Sequence, residues 1–350
     1  MSRPWQGLEP HRGDPGTGSL EERPGARLLL SRSTKSLLRG TTSRTVIVIY
    51  VVAAALIACS RFVIASAGSG DYLKTVVALA TYTAIVGFGQ GMVVITGGFD
   101  LSIPNTMTIG AVTLTELTQG SDARAGFIIP LILAIGIGIG LFNGLVTVLF
   151  RFSPIVVTLA TNTILGGVVL VFTNGEPQGS SPPFIRSAAV GSYFNNSLPE
   201  IIIVLIVFLV LGTLLLNRTT YGRRVYAVGE DSKAAALSGV SWWRVTVSAY
   251  AFSGLSAVIG GMLLAGFSGE SFIAMGTPYL LLSLAAVMVG GVAVTGGKGL
   301  YVGIVGGAII LEAISTMLAG TTLPSSMQDI VFALAILGAV TVARVARRTS

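Results

Sequence analysis

The chain has 350 residues, of which 52% are hydrophobic and only 11% charged, and its mean hydropathy is +0.81. Soluble domains are about one quarter charged, so this composition excludes an ordinary soluble protein and predicts an all-α integral membrane protein. Because the chain has one cysteine, Cys59, and one histidine, His11, far apart, a His/Cys metal site and a thiol–histidine catalytic pair are also excluded.

Residues 1–44 are polar, are rich in Pro, Gly and Arg, and lack the apolar core of a cleaved signal peptide. We predict that they form a disordered cytoplasmic tail. From Thr45 onward, apolar runs follow one another closely, and a membrane span needs about 20 apolar residues. We therefore predict a transmembrane domain over 45–345 and a cytoplasmic tail over 346–350. About ten spans are expected, at 45–65, 72–95, 102–117, 127–150, 154–173, 198–216, 245–267, 277–295, 300–318 and 328–345.

Glycine recurs at short spacing inside these runs, which favours close packing of the helices in lipid. The two densest groups are Gly136, Gly138, Gly140 and Gly144, and Gly303, Gly306 and Gly307.

The basic residues predict the orientation. With ten spans both ends lie on the same side, and placing them inside puts 18 of the 22 Lys and Arg residues in cytoplasmic segments and four outside. The positive-inside rule therefore makes both ends and the segment 217–244 cytoplasmic. It also accounts for the net charge of +7 without a nucleic-acid partner.

The polar residues within the apolar zone are the candidates for a substrate pathway. Two glycines, Asp100 and Pro104 interrupt the run at 96–104, which predicts a broken helix with Asp100 near a helix N-terminus. That pattern fits a span that lines the pathway, and it also fits a simple helix cap. Glu312 lies in the middle of a span without a basic partner in a span core, and both a pathway role and an interhelix bond are open. The full set of candidates is Thr96, Asp100, Ser102, Asn105, Asn143, Asn162, Asn174 and Glu312.

The longest outer loop, 174–197, contains several prolines and glycines and is long for a segment without regular structure. We expect a cap over a pathway, with a plain connection as the alternative.

Buried charge is too sparse for the carboxylate set or the proton relay of a typical ion-coupled symporter. The turn at Gly296-Gly297-Lys298-Gly299 lacks the upstream glycine and the Ser or Thr of a phosphate-binding loop, so we expect no cofactor in this chain. Any ATP chemistry must then come from another chain.

The segment 217–244 is the long polar interruption in the middle of the chain. Asp231 or Glu230 can cap a short helix over 232–238, rich in alanine and stopped by Gly239. A compact helix held between two spans is suited to docking into a partner, although an ordinary cytoplasmic loop is the alternative.

Four stretches make the chain resemble the permease subunits of ABC importers for ribose and related sugars, within the group that includes branched-chain amino acid permeases. They are VITGGFDLS at 94–102, VFTNGEP at 171–177, YGRRVYAVGEDSKAAALSGVS at 221–241 and VMVGGVAVTGGKGLYVGIVGGAII at 287–310. The resemblance runs from about residue 72 to the C-terminus. This chain departs from the family at Glu230-Asp231, where Gly-Asn is common, and at 103–105.

The resemblance implies that the third stretch is a coupling loop whose short helix inserts into a cytoplasmic ATPase. The residues that stand at the family's positions there are Gly222, Arg223, Ala227, Gly229, Ala234, Ala235, Ser238 and Gly239. The predicted coupling residues are Gly222, Arg223, Arg224, Gly229, Asp231, Ala234, Ala235, Ser238 and Gly239. It further implies ATP and Mg²⁺ in ATP-binding partner subunits, an extracytoplasmic substrate-binding protein, a second permease subunit in a homodimer or heterodimer, and a bacterial inner-membrane location. The implied substrate is a small neutral sugar or polyol. Alternatives are a branched-chain amino acid or nucleoside importer and an ion-coupled secondary transporter.

Overall fold

The computed structural model of the chain describes residues 46–62, 64, 68–193 and 198–348. The predicted N-terminal tail, residues 1–44, lies outside this part, as do residues 349 and 350. The described part is almost entirely helical. In chain order its elements are α1 (Val46–Ser60), α2 (Gly70–Ile95), α3 (Ile103–Thr118), α4 (Asp122–Phe150), α5 (Pro154–Thr173), α6 (Pro183–Val190), β1 (Ser192–Tyr193), β2 (Leu198–Pro199), α7 (Ile201–Arg218), α8 (Thr220–Glu230), α9 (Ser232–Leu237), α10 (Trp242–Ser268), α11 (Tyr279–Val289), α12 (Tyr301–Ala319) and α13 (Ser325–Arg348).

Each predicted span overlaps one of these helices, which confirms the all-helical membrane fold. Among the described residues, six helices are long and apolar enough to cross a membrane: α2, α4, α5, α7, α10 and α12. Shorter apolar helices lie at Val46–Ser60, at Tyr279–Val289 and in the first part of α13, Ser325–Gly338.

The predicted span at 277–295 is wrong in length, because only Tyr279–Val289 is helical. The helix ends at Gly290, and Gly291 has a φ of 94°, a left-handed conformation that glycine adopts readily. The remaining apolar residues before α12 lie in turns. Hydropathy alone did not distinguish these residues from a continuing helix.

Helices α2 and α10 form the centre of the bundle. Helix α10 packs on α2, α3 and α4, and α2 also packs on α7, α11 and α12. The apolar part of α2 is 94% buried, whereas the corresponding parts of α4, α5 and α7 are about one fifth buried. The outer helices therefore present their apolar side chains to the surroundings, as expected for a protein in lipid.

The predicted glycine packing is confirmed at two helix crossings. On α4, Gly136, Gly140 and Gly144 lie against the backbone of α10, where a methyl group at Gly140 would overlap the Tyr250 carbonyl oxygen. Gly138, on the same helix, has open space around it. On α12, Gly303 and Gly307 lie against the backbone of α11.

The predicted break between two helices is also confirmed, since α2 ends at Ile95 and α3 begins at Ile103. The outer loop folds as α6 followed by a short antiparallel pair in which Ser192 faces Pro199. Its α6 packs on α10, because Gly266 lies close to Ile185 and Ala189.

Candidate functional site

The segment between α2 and α3 folds back on the end of α2. The Gly98 N–H donates to the Val93 carbonyl over 2.9 Å, and Gly97, with a φ of 87°, makes the turn possible. The segment then crosses toward α3 with Asp100 99% buried. A non-helical backbone in the apolar zone is tolerated only where other protein groups or water satisfy it.

Two neighbouring helices satisfy that backbone. The Thr158 hydroxyl of α5 accepts from the Leu101 N–H over 3.0 Å, and the Tyr250 hydroxyl of α10 donates to the Phe99 carbonyl over 3.3 Å. The break is therefore fixed from both sides. Sequence reasoning missed Thr158 and Tyr250, although a threonine in an apolar run four residues before Asn162 was a usable signal.

A chain of hydrogen bonds connects the break to α4 and α5. The Ser102 hydroxyl donates to Asp100 Oδ1 over 2.6 Å and accepts from Asn143 Nδ2 over 2.8 Å. The Thr161 hydroxyl in turn donates to Asn143 Oδ1 over 2.6 Å. All four side chains are buried, so this network holds α3, α4 and α5 together at the break.

The Asp100 carboxylate is the first member of this network. Its Oδ1 also accepts from the Ser102 N–H over 3.0 Å. Its Oδ2, and the buried Ser253 hydroxyl of α10, have no hydrogen-bond partner among the described residues. Asp100 thus lies near the start of α3 as predicted, three residues before the first residue of the helix, Ile103. Within the described ranges it forms no salt bridge.

Asn105 and Asn162 form a second polar pair, on the half-exposed seam between α3 and α5. The Asn105 N–H donates to Asn162 Oδ1 over 3.1 Å, and Asn105 Nδ2 donates to the Asn162 carbonyl over 2.8 Å. These bonds join the helices and leave Asn105 Oδ1 and Asn162 Nδ2 without a hydrogen bond to any described residue. The exposed Thr163 lies beside the pair on α5.

The other predicted pathway residues lie apart from this cluster. Glu312, on α12, is buried and accepts a hydrogen bond from the Thr83 hydroxyl of α2. Asn174 is exposed at the C-terminal end of α5 with a φ of 50°. The Thr96 hydroxyl donates to the Val93 carbonyl of its own chain segment over 2.8 Å. The structure therefore brings together Asp100, Ser102 and Asn143, with the pair Asn105–Asn162 nearby on the same helices.

The segment 217–244 contains two helices, and the sequence predicted only the second. Helix α8 begins at the Thr219 hydroxyl, which accepts from the Gly222 N–H over 3.1 Å. Its apolar side chains Val225 and Val228 are buried, whereas Arg223 and Arg224 are exposed. Val225 and Val228 are three residues apart, a weak amphipathic pattern that the polar composition obscured.

The predicted capped helix is present as α9. The Asp231 carboxylate accepts from the backbone N–H groups of Lys233 and Ala234 over 2.8 and 3.1 Å. These two N–H groups lower the pKa of Asp231. At the other end Gly239 has a φ of 80°, and the Val240 N–H donates to the Ala235 carbonyl, which closes the helix as predicted.

Helix α9 presents an apolar residue to the outside. Ala235 is buried against the bundle, but Ala234, Ala236 and Ser238 are exposed and Leu237 is 92% exposed. An exposed leucine on a fixed helix, surrounded by small residues, is a suitable surface for a protein partner.

The end of α8 lies against two other segments. A methyl group at Gly229 would overlap the carbonyl oxygen of Ile95, the last residue of α2. The Ile95 carbonyl also accepts from the Gly297 N–H over 2.9 Å, and the Tyr226 hydroxyl donates to the Gly299 carbonyl over 2.8 Å. Sequence reasoning noted the glycines of this turn as an incomplete phosphate-binding loop and as part of the fourth family stretch, but it did not predict their contact with α8.

The outer loop is attached to several helix ends. The Ser181 N–H donates to the Gly269 carbonyl over 2.9 Å, and the Phe184 N–H donates to Asp122 Oδ1 over 3.0 Å. The Tyr82 hydroxyl of α2 donates to the Ala189 carbonyl over 3.3 Å. The loop thus packs on the C-terminal end of α10 and the N-terminal end of α4, and it reaches the middle of α2.

A sequence model of one protein family, described as branched-chain amino acid transport system / permease component, matches residues 72–340 of the chain. Among curated proteins, the chain is 33% identical over 261 residues to a probable ABC transporter permease protein of Sinorhizobium fredii, covering 74% of this chain and 77% of the relative. It is 28% identical over 275 residues to a ribose import permease protein of Haemophilus influenzae, and this match covers 78% of this chain and 84% of the relative. It is 29% identical over 286 residues to a galactose/methyl galactoside import permease protein of Escherichia coli, and this match covers 76% of this chain and 84% of the relative. No solved structure matches the chain significantly.

Proposed function

The chain belongs to the family of permease components of branched-chain amino acid transport systems, and from this we propose that it is the transmembrane subunit of an ABC importer for a small neutral sugar, polyol or sugar-like molecule. The import permeases for ribose and for galactose, both similar along most of their length, support this substrate class. The permease component is not itself catalytic.

Permeases of this kind act with ATP-hydrolysing and substrate-binding partners. For this chain the proposed assembly contains two cytoplasmic ATPase subunits, which bind ATP and Mg²⁺, and an extracytoplasmic binding protein. The proposed membrane is the bacterial inner membrane, and the proposed pore is formed by two permease subunits, either two copies of this chain or one copy and a close relative.

The capped helix α9 is the observation that carries the proposal. It is closed at both ends by hydrogen bonds and it exposes Leu237 between small side chains. A helix of this kind can enter a groove of a partner with little loss of conformational freedom. The proposed coupling residues are Gly222, Arg223, Arg224, Gly229, Asp231, Ala234, Ala235, Ser238 and Gly239. Among them, the exposed residues Asp231, Ala234, Ser238 and Gly239 are proposed to contact the ATPase, whereas Gly229 and Ala235 pack against other parts of this chain.

In the proposed pathway the polar residues have two different roles. Asp100, Ser102 and Asn143 are buried in mutual hydrogen bonds, so their role is to hold the break in shape. Asn105 and Asn162 are half-exposed, and each keeps one carboxamide atom without a hydrogen bond to a described residue, Asn105 Oδ1 and Asn162 Nδ2. These two atoms can exchange hydrogen bonds with the hydroxyl groups of a neutral solute. Exposing these polar groups to lipid would cost free energy, so the seam between α3 and α5 is better suited to face a water-filled path than to face lipid.

Substitution of Leu237 by Asp tests the docking. The added charge should reduce co-purification of the ATPase at least about tenfold, as expected when a central apolar contact is replaced by a buried charge. Val190, a 46% exposed residue on α6, provides the control, because Val190→Asp makes a similar change far along the chain from the coupling loop. Equal co-purification of the ATPase with both variants would contradict the docking.

The substrate class is tested with the binding protein that co-purifies with the complex. Thermal shifts of that protein are measured with sugars, polyols, amino acids and nucleosides. A sugar or polyol that stabilises it supports the proposal. An amino acid or nucleoside would keep the architecture and reject the substrate class, and uptake by the chain alone, driven by an ion gradient, would reject the ABC importer.

A further inference from the structure

The turn between α11 and α12, residues 296–299, is attached to the coupling loop and to the end of α2 at the same place. The Ile95 carbonyl accepts from the Gly297 N–H over 2.9 Å, and it is in direct contact with Gly229 of α8. Three segments that are far apart in the sequence therefore meet at one carbonyl group.

The turn at 296–299 lies too close to the end of α8 for a side chain to fit between them. A methyl group at Gly296 would lie 2.8 Å from the Gly229 carbonyl oxygen, and one at Gly297 would lie 3.0 Å from the Glu230 backbone. Gly296 and Gly297 also have φ values of 88° and 74°. Only glycine satisfies both requirements, so backbone packs directly on backbone here.

Two further links hold the turn to α8. The half-buried Tyr226 donates its hydroxyl to the Gly299 carbonyl over 2.8 Å, and burial raises the pKa of that hydroxyl to about 12, which keeps it a donor. Lys298 Nζ lies 4.0 Å from Glu230 Oε1, but both side chains are about two thirds exposed, so this ion pair contributes little.

On one side of this contact lies α9, and on the other lies the break. Asp231, the cap of α9, is two residues after Gly229. Ile95 immediately precedes the break that Asp100, Ser102 and Asn143 hold in shape. The contact therefore connects the start of α9 to the start of the break through backbone atoms rather than through flexible side chains.

We propose that Gly229, Ile95 and Gly297 form a rigid joint through which movement of the coupling loop reaches the α2–α3 break, with the α11–α12 turn moving as part of the same unit. The inference rests on the proposed function, since it requires an ATPase that moves α9. It adds positioning residues for transport, namely Gly229, Gly297 and Tyr226, which need not contact substrate.

The first test uses the assembled permease, ATPase and binding protein in proteoliposomes. Gly229→Ala should lower ATP-driven uptake at least about tenfold, because a displacement of about 1 Å far from a site can cost that much or more. The ATPase should still co-purify. Gly167→Ala is the control, because nothing lies within 4 Å of a methyl group added there. Uptake by Gly229→Ala at the control rate would overturn the joint.

Tyr226→Phe is the milder variant, and it tests whether the joint is needed for uptake if Gly229→Ala does not fold. It removes only the hydrogen bond to the Gly299 carbonyl. We expect uptake to fall about two- to fivefold, the effect of one lost hydrogen bond, with ATPase co-purification unchanged. Unchanged uptake, or a loss of ATPase binding in proportion to the loss of uptake, would contradict a role in transmission.

A reversible crosslink tests whether the end of α8 and the turn at 296–299 move as one rigid unit. In a Cys59→Ser background, Glu230→Cys and Lys298→Cys are joined by a short crosslinker that a reductant cleaves. A rigid joint predicts that crosslinking leaves uptake unchanged, because the two residues move together. Loss of uptake that the reductant restores would overturn the joint. Failure of the proposed function is distinguishable, since the unmodified complex would then show no ATP-driven sugar uptake.

Discussion

Ser102 is the residue that connects the hydrogen bonds at the break between α2 and α3. Its hydroxyl joins the Asp100 carboxylate to the Asn143 carboxamide, and its N–H donates to Asp100. Each partner is buried, so loss of this hydroxyl leaves polar groups without water to replace it.

Ser102→Ala should therefore destabilise the protein by about 1–3 kcal/mol, the cost of buried polar groups left unsatisfied. The midpoint of thermal unfolding in detergent measures this effect. Ser153→Ala is the matched control, because Ser153 is exposed and its side chain forms no cap hydrogen bond at α5. Equal midpoints for the two variants would show that the network contributes nothing to stability.

Single glycine residues also contribute to stability where α4 crosses α10. Gly140→Ala places a methyl group on the Tyr250 carbonyl oxygen and should cost about 1–3 kcal/mol of unfolding free energy through overpacking. Gly138→Ala, two residues away with open space, should be neutral or slightly stabilising. Thermal unfolding of both variants in one detergent tests the contrast, and a similar loss in both would attribute the effect to glycine itself.

At the scale of elements, α9 depends on the Asp231 cap. The backbone N–H groups of Ala234 and Lys233 lower the pKa of this carboxyl in the folded protein. The cap therefore stabilises the helix fully above the ordinary carboxyl pKa of about 4 and is lost as pH falls through the lower folded pKa.

Asp231→Ala should accelerate hydrogen exchange at Lys233 and Ala234 and weaken ATPase co-purification. Asp231→Asn is the control, because asparagine caps helices about as well as aspartate. The Asn variant should also lose the pH dependence of exchange protection at acidic pH, since its carboxamide does not titrate there. Retained protection in the Ala variant would contradict the cap.

The elements differ in how far the sequence reveals them. The cap, the alanines and the stop of α9 are all local, so residues 231–239 predict that helix directly. The end of α11 at Gly290 was missed because the apolar run continues past it. The bonds among Asp100, Asn143 and Thr161 join three helices, and no local pattern indicates such pairs. The individual polar residues could be proposed, but not which of them meet.

At the scale of the whole molecule, charge predicts which face is cytoplasmic. In a Cys59→Ser background, Leu237→Cys on α9 and Phe184→Cys on α6 both lie at highly exposed positions. A membrane-impermeant thiol reagent added outside intact cells should label the α6 cysteine and leave the α9 cysteine unlabelled. Disruption of the membrane should make both reactive, and the reverse pattern in intact cells would invert the orientation.

The enclosure of α2 has a consequence for how the protein is made. This helix buries Thr81, Thr83 and Gln90, and it is less apolar than α4. It is synthesised well before α10 and α12, the helices that cover it. Until α12 arrives, the Thr83 hydroxyl lacks its Glu312 partner, and an unsatisfied polar group in lipid costs several kcal/mol. A chain truncated before α12 should therefore hold α2 less stably in the membrane than the full chain does.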